Sequence, residues 1–306
     1  MKICMTSVFL AACLFVGLTL APACAHAETT TDKTSIVKKP QTENRASMEA
    51  MQIPSHGAQM NALVYVAAGA EPHPTVVLLH GFPGNERNLD LAQDIRRAGW
   101  DVVYFNYRGA WGSSGAFSFS HGIEDTAAVL AYLRQPANAK RLRLDPTRIV
   151  LVGHSMGGFM TVQAASADPA IKGIAMISAA DMGGVFEQMS AQGSQQSALH
   201  DMSAGLASEG MAPLSGCTAD GLAKELADHA STWVFRSKVD ALKSRPALIV
   251  TSDDGFTNAN EAFAASLRKA GDTQVSTTHL ATDHAYSDQR VELSRAVLQW
   301  LAPLAK

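Results

Sequence analysis

The sequence predicts an α/β fold in which helices cover both faces of a mostly parallel central sheet. Short apolar stretches rich in β-branched residues alternate along the chain with stretches of helical spacing. The central strands, such as Thr75-Val76-Val77-Leu78-Leu79, have no polar face, which is typical of strands covered by helices on both sides. A hairpin signal at Pro54-Ser55-His56-Gly57 joins the first two strands and predicts an antiparallel edge.

The predicted elements follow in chain order. The strands are residues 48–53, 60–67, 75–79, 101–105, 149–152, 172–177, 245–250 and 273–280. The helices are residues 89–98, 123–134, 159–165, 222–230, 263–270 and 291–301. We expect Asp145-Pro146 to break the chain before the 149–152 strand.

The N-terminus has the pattern of a secretory signal peptide over residues 1–27. Lys2 gives a short positive region, residues 3–20 are nearly all apolar, and Ala25-His26-Ala27 fits a small-x-small cleavage site. Cleavage after Ala27 predicts a secreted or periplasmic protein with no stable membrane span after signal removal. The alternative is a lipoprotein signal at Cys13, within Leu10-Ala11-Ala12-Cys13, although cleavage there would leave an apolar mature N-terminus.

The rest of the chain divides into segments of different amino-acid composition. Residues 28–46 are rich in Thr, Lys, Gln and Glu without an apolar period, which predicts a disordered leader. Residues 47–306 are long enough for one α/β domain with a deep core. Within it, residues 181–243 are rich in Met, Ser, Gly and Gln, and we expect them to form a cap inserted between the sixth and seventh core strands.

The amino-acid composition of the chain argues against several classes of function. A formal net charge of −3 at pH 7 does not favour a nucleic-acid or anionic-membrane partner. Because three of the four cysteines lie in the predicted signal, Cys217 is alone and no internal disulfide is expected. No His-Glu-x-x-His pattern or Cys/His cluster predicts a metal site, and no cofactor is expected.

The stretch Gly153-His154-Ser155-Met156-Gly157 carries the strongest functional signal. It follows an apolar strand and precedes a helix-compatible run, and that order predicts a nucleophile elbow with Ser155 at its tip. Gly153 and Gly157 lack the Cβ atoms that would collide where strand and helix pack closely. Since a serine hydroxyl is a poor nucleophile at neutral pH, Ser155 needs an adjacent base.

Two later strands end in suitable partners, because parallel strands bring their carboxyl ends to one edge of a sheet. His284, between the last strand and the closing helix, is the predicted base. The acid that orients it is expected in the loop after residue 250, where Asp254 is preferred and Asp253 is the alternative. His80 is expected to be structural, and His279 lies within the last strand.

Two backbone groups are expected to form an oxyanion hole. One donor is the N–H of Met156, at the start of the elbow helix, where the helix dipole favours negative charge. The other is the N–H of Phe82, in the loop His80-Gly81-Phe82-Pro83-Gly84 that follows a buried strand.

Together these segments resemble the α/β-hydrolase superfamily. The resemblance rests on residues 80–84, on Tyr107-Arg108-Gly109-Ala110-Trp111-Gly112-Ser113-Ser114-Gly115, on Gly153-His154-Ser155-Met156-Gly157-Gly158, and on a late Asp and His in that order. It covers roughly residues 48–303 and is strongest for serine esterases and prolyl-oligopeptidase-type catalytic domains. The resemblance implies a triad of Ser155, Asp254 and His284. The acid loop departs from the family pattern, because Gly before the aspartate and Pro after it are missing.

The activity implied by the resemblance is hydrolysis of a small-molecule carboxylic ester through an acyl-enzyme. A peptidase or amidase of the prolyl-oligopeptidase type is the alternative, with Glu187, Asp201 and Glu209 as acids for a peptide amino terminus. A non-catalytic binding protein on the same fold would require a disabled triad. The cap methionines are expected either to line an apolar acyl pocket or to form the cap's own core. These are Met182, Met189, Met202 and Met211.

Overall fold

The computed structural model describes residues 44–70 and 72–305. The predicted signal peptide, with Cys13 and the cleavage site after Ala27, and residues 28–43 of the predicted leader lie outside the described residues. The strands are β1 (Ser47–Ser55), β2 (Ala58–Val66), β3 (His73–Leu79), β4 (Asp101–Phe105), β5 (Leu144–His154), β6 (Ile174–Ile177), β7 (Ala247–Thr251) and β8 (Val275–His279).

Ten α-helices of the described ranges surround the strands. They are α1 (Leu89–Arg97), α2 (Phe119–Arg134), α3 (Pro136–Leu142), α4 (Met156–Ala167), α5 (Met182–Gln192), α6 (Gln195–Ser208), α7 (Ala219–Trp233), α8 (Val239–Leu242), α9 (Thr257–Lys269) and α10 (Arg290–Leu301). Short 3₁₀ helices occupy Phe235–Lys238 and Ala302–Ala305. None of the helices in the described ranges has the length and apolar character needed to cross a membrane.

The eight strands form one sheet in the order β1-β2-β4-β3-β5-β6-β7-β8. β1 pairs antiparallel with β2, and β2 pairs antiparallel with β4, whereas every other pairing is parallel. The predicted fold, a mostly parallel sheet with an antiparallel N-terminal edge, is therefore confirmed. The carboxyl ends of β3, β5, β6 and β7 lie side by side at one edge, which is where sites form in such sheets.

Alternating side chains of β3 face two separate layers of the core. Val77 and Leu79 pack in the layer that contains α2 and α4, whereas Val76 and Leu78 pack in the layer that contains α1 and α10. All four side chains are buried, and each contributes about 1.5–3 kcal/mol to folding. The unbroken apolar run therefore reflects burial on both faces of the sheet.

The expectation that Asp145-Pro146 breaks the chain before the elbow strand is wrong. Both residues lie inside β5, in an irregular stretch where the pairing jumps from Leu144 opposite His73 to Ile149 opposite Thr75. Because proline has no N–H to donate to the ladder, the strand accommodates it by a shift of register. Asp145 closes this stretch by accepting a hydrogen bond from the Thr147 N–H at 2.8 Å.

Residues 181–243 lie between β6 and β7 and contain α5 to α8. Side chains cap the first residues of these helices. Asp181 accepts from the Gly184 N–H at 3.1 Å, Ser194 from Ser197 at 3.1 Å, and Thr218 from Gly221 at 3.1 Å. Of the cap helices, only α7 corresponds to a predicted helix. Helix α3 was not predicted either, although Pro136 at its start favours a helix N-terminus.

Candidate active site

Ser155 lies at the sharp turn between β5 and α4. Its backbone has φ 57° and ψ −123°, a conformation that costs a non-glycine residue about 1–3 kcal/mol. Three backbone hydrogen bonds hold it in place. The Ser155 N–H donates to Ile177 O at 2.9 Å, and Ser155 O accepts from the N–H groups of Gly158 and Ala180 at 2.9 and 3.0 Å.

The two glycines of the turn allow strand and helix to approach within contact distance. A Cβ on Gly153 would lie 2.0 Å from Gly157 O, and a Cβ on Gly157 would lie 2.0 Å from Leu79 O. Neither clash involves a side chain that can rotate away. The close packing that presents Ser155 therefore depends on both glycines.

His284 and Asp254 are hydrogen-bonded to each other. His284 Nδ1 lies 2.8 Å from Asp254 Oδ2, so this nitrogen carries the proton and donates to the carboxylate. The tautomer leaves His284 Nε2 with a free lone pair, which is the form a general base needs. Asp254 Oδ1 accepts a second hydrogen bond, from the Phe256 N–H at 3.0 Å.

Burial opposes ionisation of Asp254, but the hydrogen bonds from His284, from nearby Ser178 and from Phe256 outweigh it. Their combined effect holds the pKa of the Asp254 carboxyl well below its usual range. The Asp254 carboxyl is therefore a stable anion at neutral pH.

Three buried hydroxyl groups pack beside this acid. Ser178 Oγ lies 2.7 Å from the Tyr286 hydroxyl and 3.0 Å from Ser252 Oγ. Burial raises the pKa of Tyr286 to about 12, so its phenol stays protonated and donates to Val250 O at 3.3 Å. The sequence did not predict this network, because its members come from three separate loops.

His154 connects His284, the predicted base, to the turn that carries Ser155. Its ring centroid lies 4.6 Å from that of His284, and its Nε2 lies 2.8 Å from the backbone oxygen of His284. The structure thus brings the loop that carries His284 against the residue directly before Ser155. Within the described ranges, the Ser155 hydroxyl makes no hydrogen bond; a nucleophile–base bond often tightens only with substrate present.

The two expected oxyanion donors flank the same serine. A Cβ on Gly81 would lie 2.9 Å from Ser155 Cβ, so the loop that carries the Phe82 N–H passes directly beside the nucleophile. Met156 is the first residue of α4, where a helix leaves its N–H groups free. Neither N–H has a hydrogen-bond partner among residues 44–70 and 72–305.

Neighbouring side chains shape the loop of residues 80–84. His80 is buried, which lowers its pKa to about 4, and its Nδ1 lies 2.8 Å from Gly81 O. Trp111 Nε1 donates to Pro83 O at 2.8 Å, so the segment of residues 107–115 is hydrogen-bonded to this loop. Both contacts assign His80 and Trp111 to the support of the loop.

Asp253, the alternative acid, lies elsewhere. Its carboxylate lies 3.2 Å from His279 Nε2 at an exposed position, and its backbone N–H donates to Thr282 O at 3.0 Å. His279 also contacts Thr251 Oγ1 through its other ring nitrogen, at 3.0 Å. Of the two aspartates, the structure brings only Asp254 to His284.

A cavity of about 310 Å³ begins at the loop that carries Phe82 and extends under the cap. Phe82, Ala180 and Phe256 form the end that adjoins the site, and Phe256 also packs on the His284 ring at 5.3 Å between centroids. The rest of the lining comes from α5, α6 and the residue after α6. It consists of Met182, Val185, Met189, Asp201, Met202, Gly205, Leu206, Ser208 and Glu209.

The cap acids and the fourth methionine differ in position. Glu187 is paired with Arg236 at 2.6 Å, whereas Asp201 and Glu209 are exposed at the cavity and form no ion pair within the described part of the chain. Met211 packs against the core without lining the cavity. No group of three or more His, Cys, Asp or Glu in the described ranges is placed to hold a metal ion.

Comparison with known proteins finds similarity to one fold family over part of the chain. A family model described as the alpha/beta hydrolase fold matches residues 74–202. The matched range contains Ser155 and both expected oxyanion donors, but it ends before Asp254 and His284.

Solved structures of esterases and lipases have the same fold. Est1E from Butyrivibrio proteoclasticus superposes with a TM-score of 0.62 at 19% identity, over 83% of this chain and 98% of that chain. A hyperthermophilic esterase from the archaeon Pyrobaculum calidifontis gives 0.61 at 19% identity, over 85% and 87%. A lipase in its open form gives 0.64 at 17% identity, over 85% and 100%. At these identities the similarity is one of fold.

Proposed function

We propose that this chain is an esterase-like member of the α/β-hydrolase superfamily, and that it cleaves carboxylic esters through an acyl-enzyme formed on Ser155. The proposal rests on the contacts that His284, in the loop after β8, makes with Asp254 and with His154. The His284 side chain binds the Asp254 carboxylate at 2.8 Å, and its backbone oxygen lies 2.8 Å from the ring of His154, the residue before Ser155.

In the first step, Ser155 Oγ attacks the ester carbonyl carbon while His284 Nε2 takes the hydroxyl proton. The carbonyl oxygen becomes an anion that accepts hydrogen bonds from the N–H groups of Phe82 and Met156. The bond to the alcohol oxygen then breaks, and the imidazolium gives that oxygen its proton. Asp254 stabilises the imidazolium between these two transfers.

In the second step, a water molecule attacks the acyl carbon and gives a proton to His284. The bond from carbon to Ser155 Oγ breaks, the carboxylic acid leaves, and the proton returns to the serine oxygen. These steps use only side chains and backbone groups of this chain together with water.

A substrate screen of the wild type against Ser155→Ala tests the proposal. The panel contains short-chain aryl esters, thioesters, lactones and peptide amides. We expect ester turnover by the wild type, a loss of about 10⁶-fold in kcat for Ser155→Ala, and covalent labelling of Ser155 by a fluorophosphonate. Ser166→Ala, on the same helix and distant from the turn, is the matched control. A folded wild-type protein that neither turns over esters nor reacts with the probe would contradict the proposal.

The cavity supports a substrate with a small apolar acyl group. Three thioether side chains, those of Met182, Met189 and Met202, line it, and such side chains adapt to irregular apolar ligands. Its volume of about 310 Å³ is at the lower end of the range for small-molecule sites. We therefore place the acyl chain of the ester in this cavity, next to Phe82.

Hydrolysis of amides is the second candidate activity, and one observation favours it. Asp201 and Glu209 present two carboxylates at the cavity, where a substrate amine would find negative charge. Dipeptidyl amides that outpace esters with leaving groups of equal pKa would favour this alternative. We expect esters to be faster, because the cavity lining is otherwise mostly apolar.

We further propose that the protein is exported and that its signal is removed after Ala27. The support is the sequence pattern of residues 1–27. N-terminal sequencing of the mature protein should begin at Glu28. A lipid-modified N-terminus at Cys13 would instead support the lipoprotein alternative.

A further inference from the structure

We propose that His154 is a positioning residue for the general base: it holds the backbone of His284 against the nucleophile elbow. The inference rests on the proposed function, since it assigns His154 a part in that reaction. His154 ends β5 directly before Ser155, and its side chain is buried against the loop that follows β8.

The first contact is a hydrogen bond between the side chain of His154 and the backbone of His284. His154 Nε2 donates to His284 O at 2.8 Å. His154 Nδ1 is buried without a partner among the described residues, which fits the tautomer that is protonated at Nε2. His284 is therefore held at two points, its carbonyl by His154 and its Nδ1 by Asp254.

The second contact is between the rings themselves. The imidazole of His154 lies 4.6 Å from that of His284 with the planes inclined by 39°, and Phe256 lies 5.3 Å from the same ring. With Nδ1 bound to Asp254 and these two rings packed on it, the His284 imidazole has little freedom to rotate. A base held in this way can meet the serine proton without prior reorganisation.

The charge state of His154 suits this role. Burial, together with the nearby His284, lowers the pKa of His154 to about 4, so its ring is neutral at neutral pH. A neutral neighbour adds no repulsion when His284 becomes an imidazolium. Two other charged groups act on the His154 ring: the guanidinium of Arg290 lowers its pKa, and the carboxylate of Asp254 raises it.

Two substitutions separate the hydrogen bond from the packing. His154→Phe keeps a ring but removes the donor, whereas His154→Gln removes the ring and keeps an N–H that can reach the carbonyl. We expect kcat to fall about ten- to a hundredfold in His154→Phe with KM changed less than twofold, and to recover in large part in His154→Gln. His73→Phe is the matched control, because His73 is a buried histidine at the opposite end of the sheet.

A spectroscopic readout does not depend on turnover. The Nδ1–H proton that His284 shares with Asp254 should give a low-field NMR signal, identified by its loss in His284→Ala. We expect the signal to persist in His154→Gln and His73→Phe and to broaden in His154→Phe, as the loop loosens and water exchanges the proton.

The outcomes separate this inference from the proposed function. An unchanged signal and unchanged kcat in His154→Phe would overturn the inference, as would equal losses in His154→Phe and His154→Gln. If the wild type hydrolyses no ester, the proposed function fails, and the NMR comparison still decides whether His154 holds the loop of His284.

Discussion

The hydrogen bond between Asp254 and His284 joins a buried carboxylate to a partly exposed imidazole. The Asp254 side chain is 2% exposed, whereas the imidazole of His284 is 38% exposed. The carboxylate is therefore shielded from water and salt, while the imidazole of His284 remains accessible. This asymmetry suits an acid that only orients and a base that must reach the substrate.

The two adjacent aspartates should differ sharply in their effect on activity. Asp254→Asn should lower kcat by about 10³–10⁴-fold, because the amide cannot favour the required tautomer or stabilise the imidazolium. Asp253→Asn should change kcat less than threefold, since Asp253 pairs with His279 at the surface. Ester hydrolysis at saturating substrate measures both. Equal losses would show that the wrong carboxylate has been assigned.

Narrowing the cavity should shift preference toward shorter acyl chains. Met189→Trp adds bulk to the lining at a half-buried position, so octanoyl esters should lose about tenfold in kcat/KM relative to acetyl esters. Met211→Trp is the control, because Met211 belongs to the cap without lining the cavity. The comparison is a chain-length series of p-nitrophenyl esters. The same shift in both variants would mean that the acyl chain does not bind in this cavity.

Two glycine-to-alanine substitutions should act in opposite directions on stability. Gly157→Ala places a Cβ 2.0 Å from Leu79 O, so we expect a loss of about 1–3 kcal/mol or more in the free energy of unfolding. Gly205→Ala, in the middle of α6 with open space around its Cα, should gain about 0.5–1 kcal/mol. Urea unfolding followed by circular dichroism measures both. A neutral Gly157→Ala would mean that strand and helix can separate freely at the turn.

Asp101 should make the protein less stable as pH rises from about 4 to about 7. Burial raises its pKa to about 7, partly opposed by Arg143 and reinforced by Glu49, and one carboxylate oxygen has no partner among the described residues. In this window the native state binds more protons at Asp101 than the unfolded state, whose aspartates titrate near about 3.9, so the free energy of unfolding falls with pH.

Asp101→Asn should remove that slope. The amide oxygen can still accept from the Ala67 N–H, which now donates to Asp101 Oδ1 at 2.8 Å. Urea unfolding of both proteins at pH 5 and pH 8 provides the comparison. We expect the wild type to lose stability relative to the variant at the higher pH. Parallel pH profiles would rule out a titrating Asp101.

The sheet and the elbow turn were predictable because their signals are local. A buried strand needs a run of apolar residues, and the turn needs glycines on both sides of Ser155. The hairpin and the alternation of strands with helices then predict a mostly parallel sheet with an antiparallel edge, but they do not predict that β4 lies between β2 and β3. The register shift at Pro146 was not predictable, because a proline signals a break equally well as a bulge.

The support around the candidate triad could not be predicted for a different reason. Ser178, Ser252 and Tyr286 meet only because the loops after β6, β7 and β8 converge. The contact of His154 with His284 spans 130 residues of sequence. No local pattern marks such residues, and a histidine inside the elbow is indistinguishable from any other variable position until the fold is known.

The residues of the candidate site fall into two groups that are far apart in the sequence. The nucleophile and both oxyanion donors lie between residues 82 and 156, whereas the acid and the base lie at 254 and 284. A nascent chain that has not reached residue 254 therefore contains Ser155 but neither Asp254 nor His284. Under the proposed function, a product that terminates before residue 284 would therefore have no hydrolytic activity.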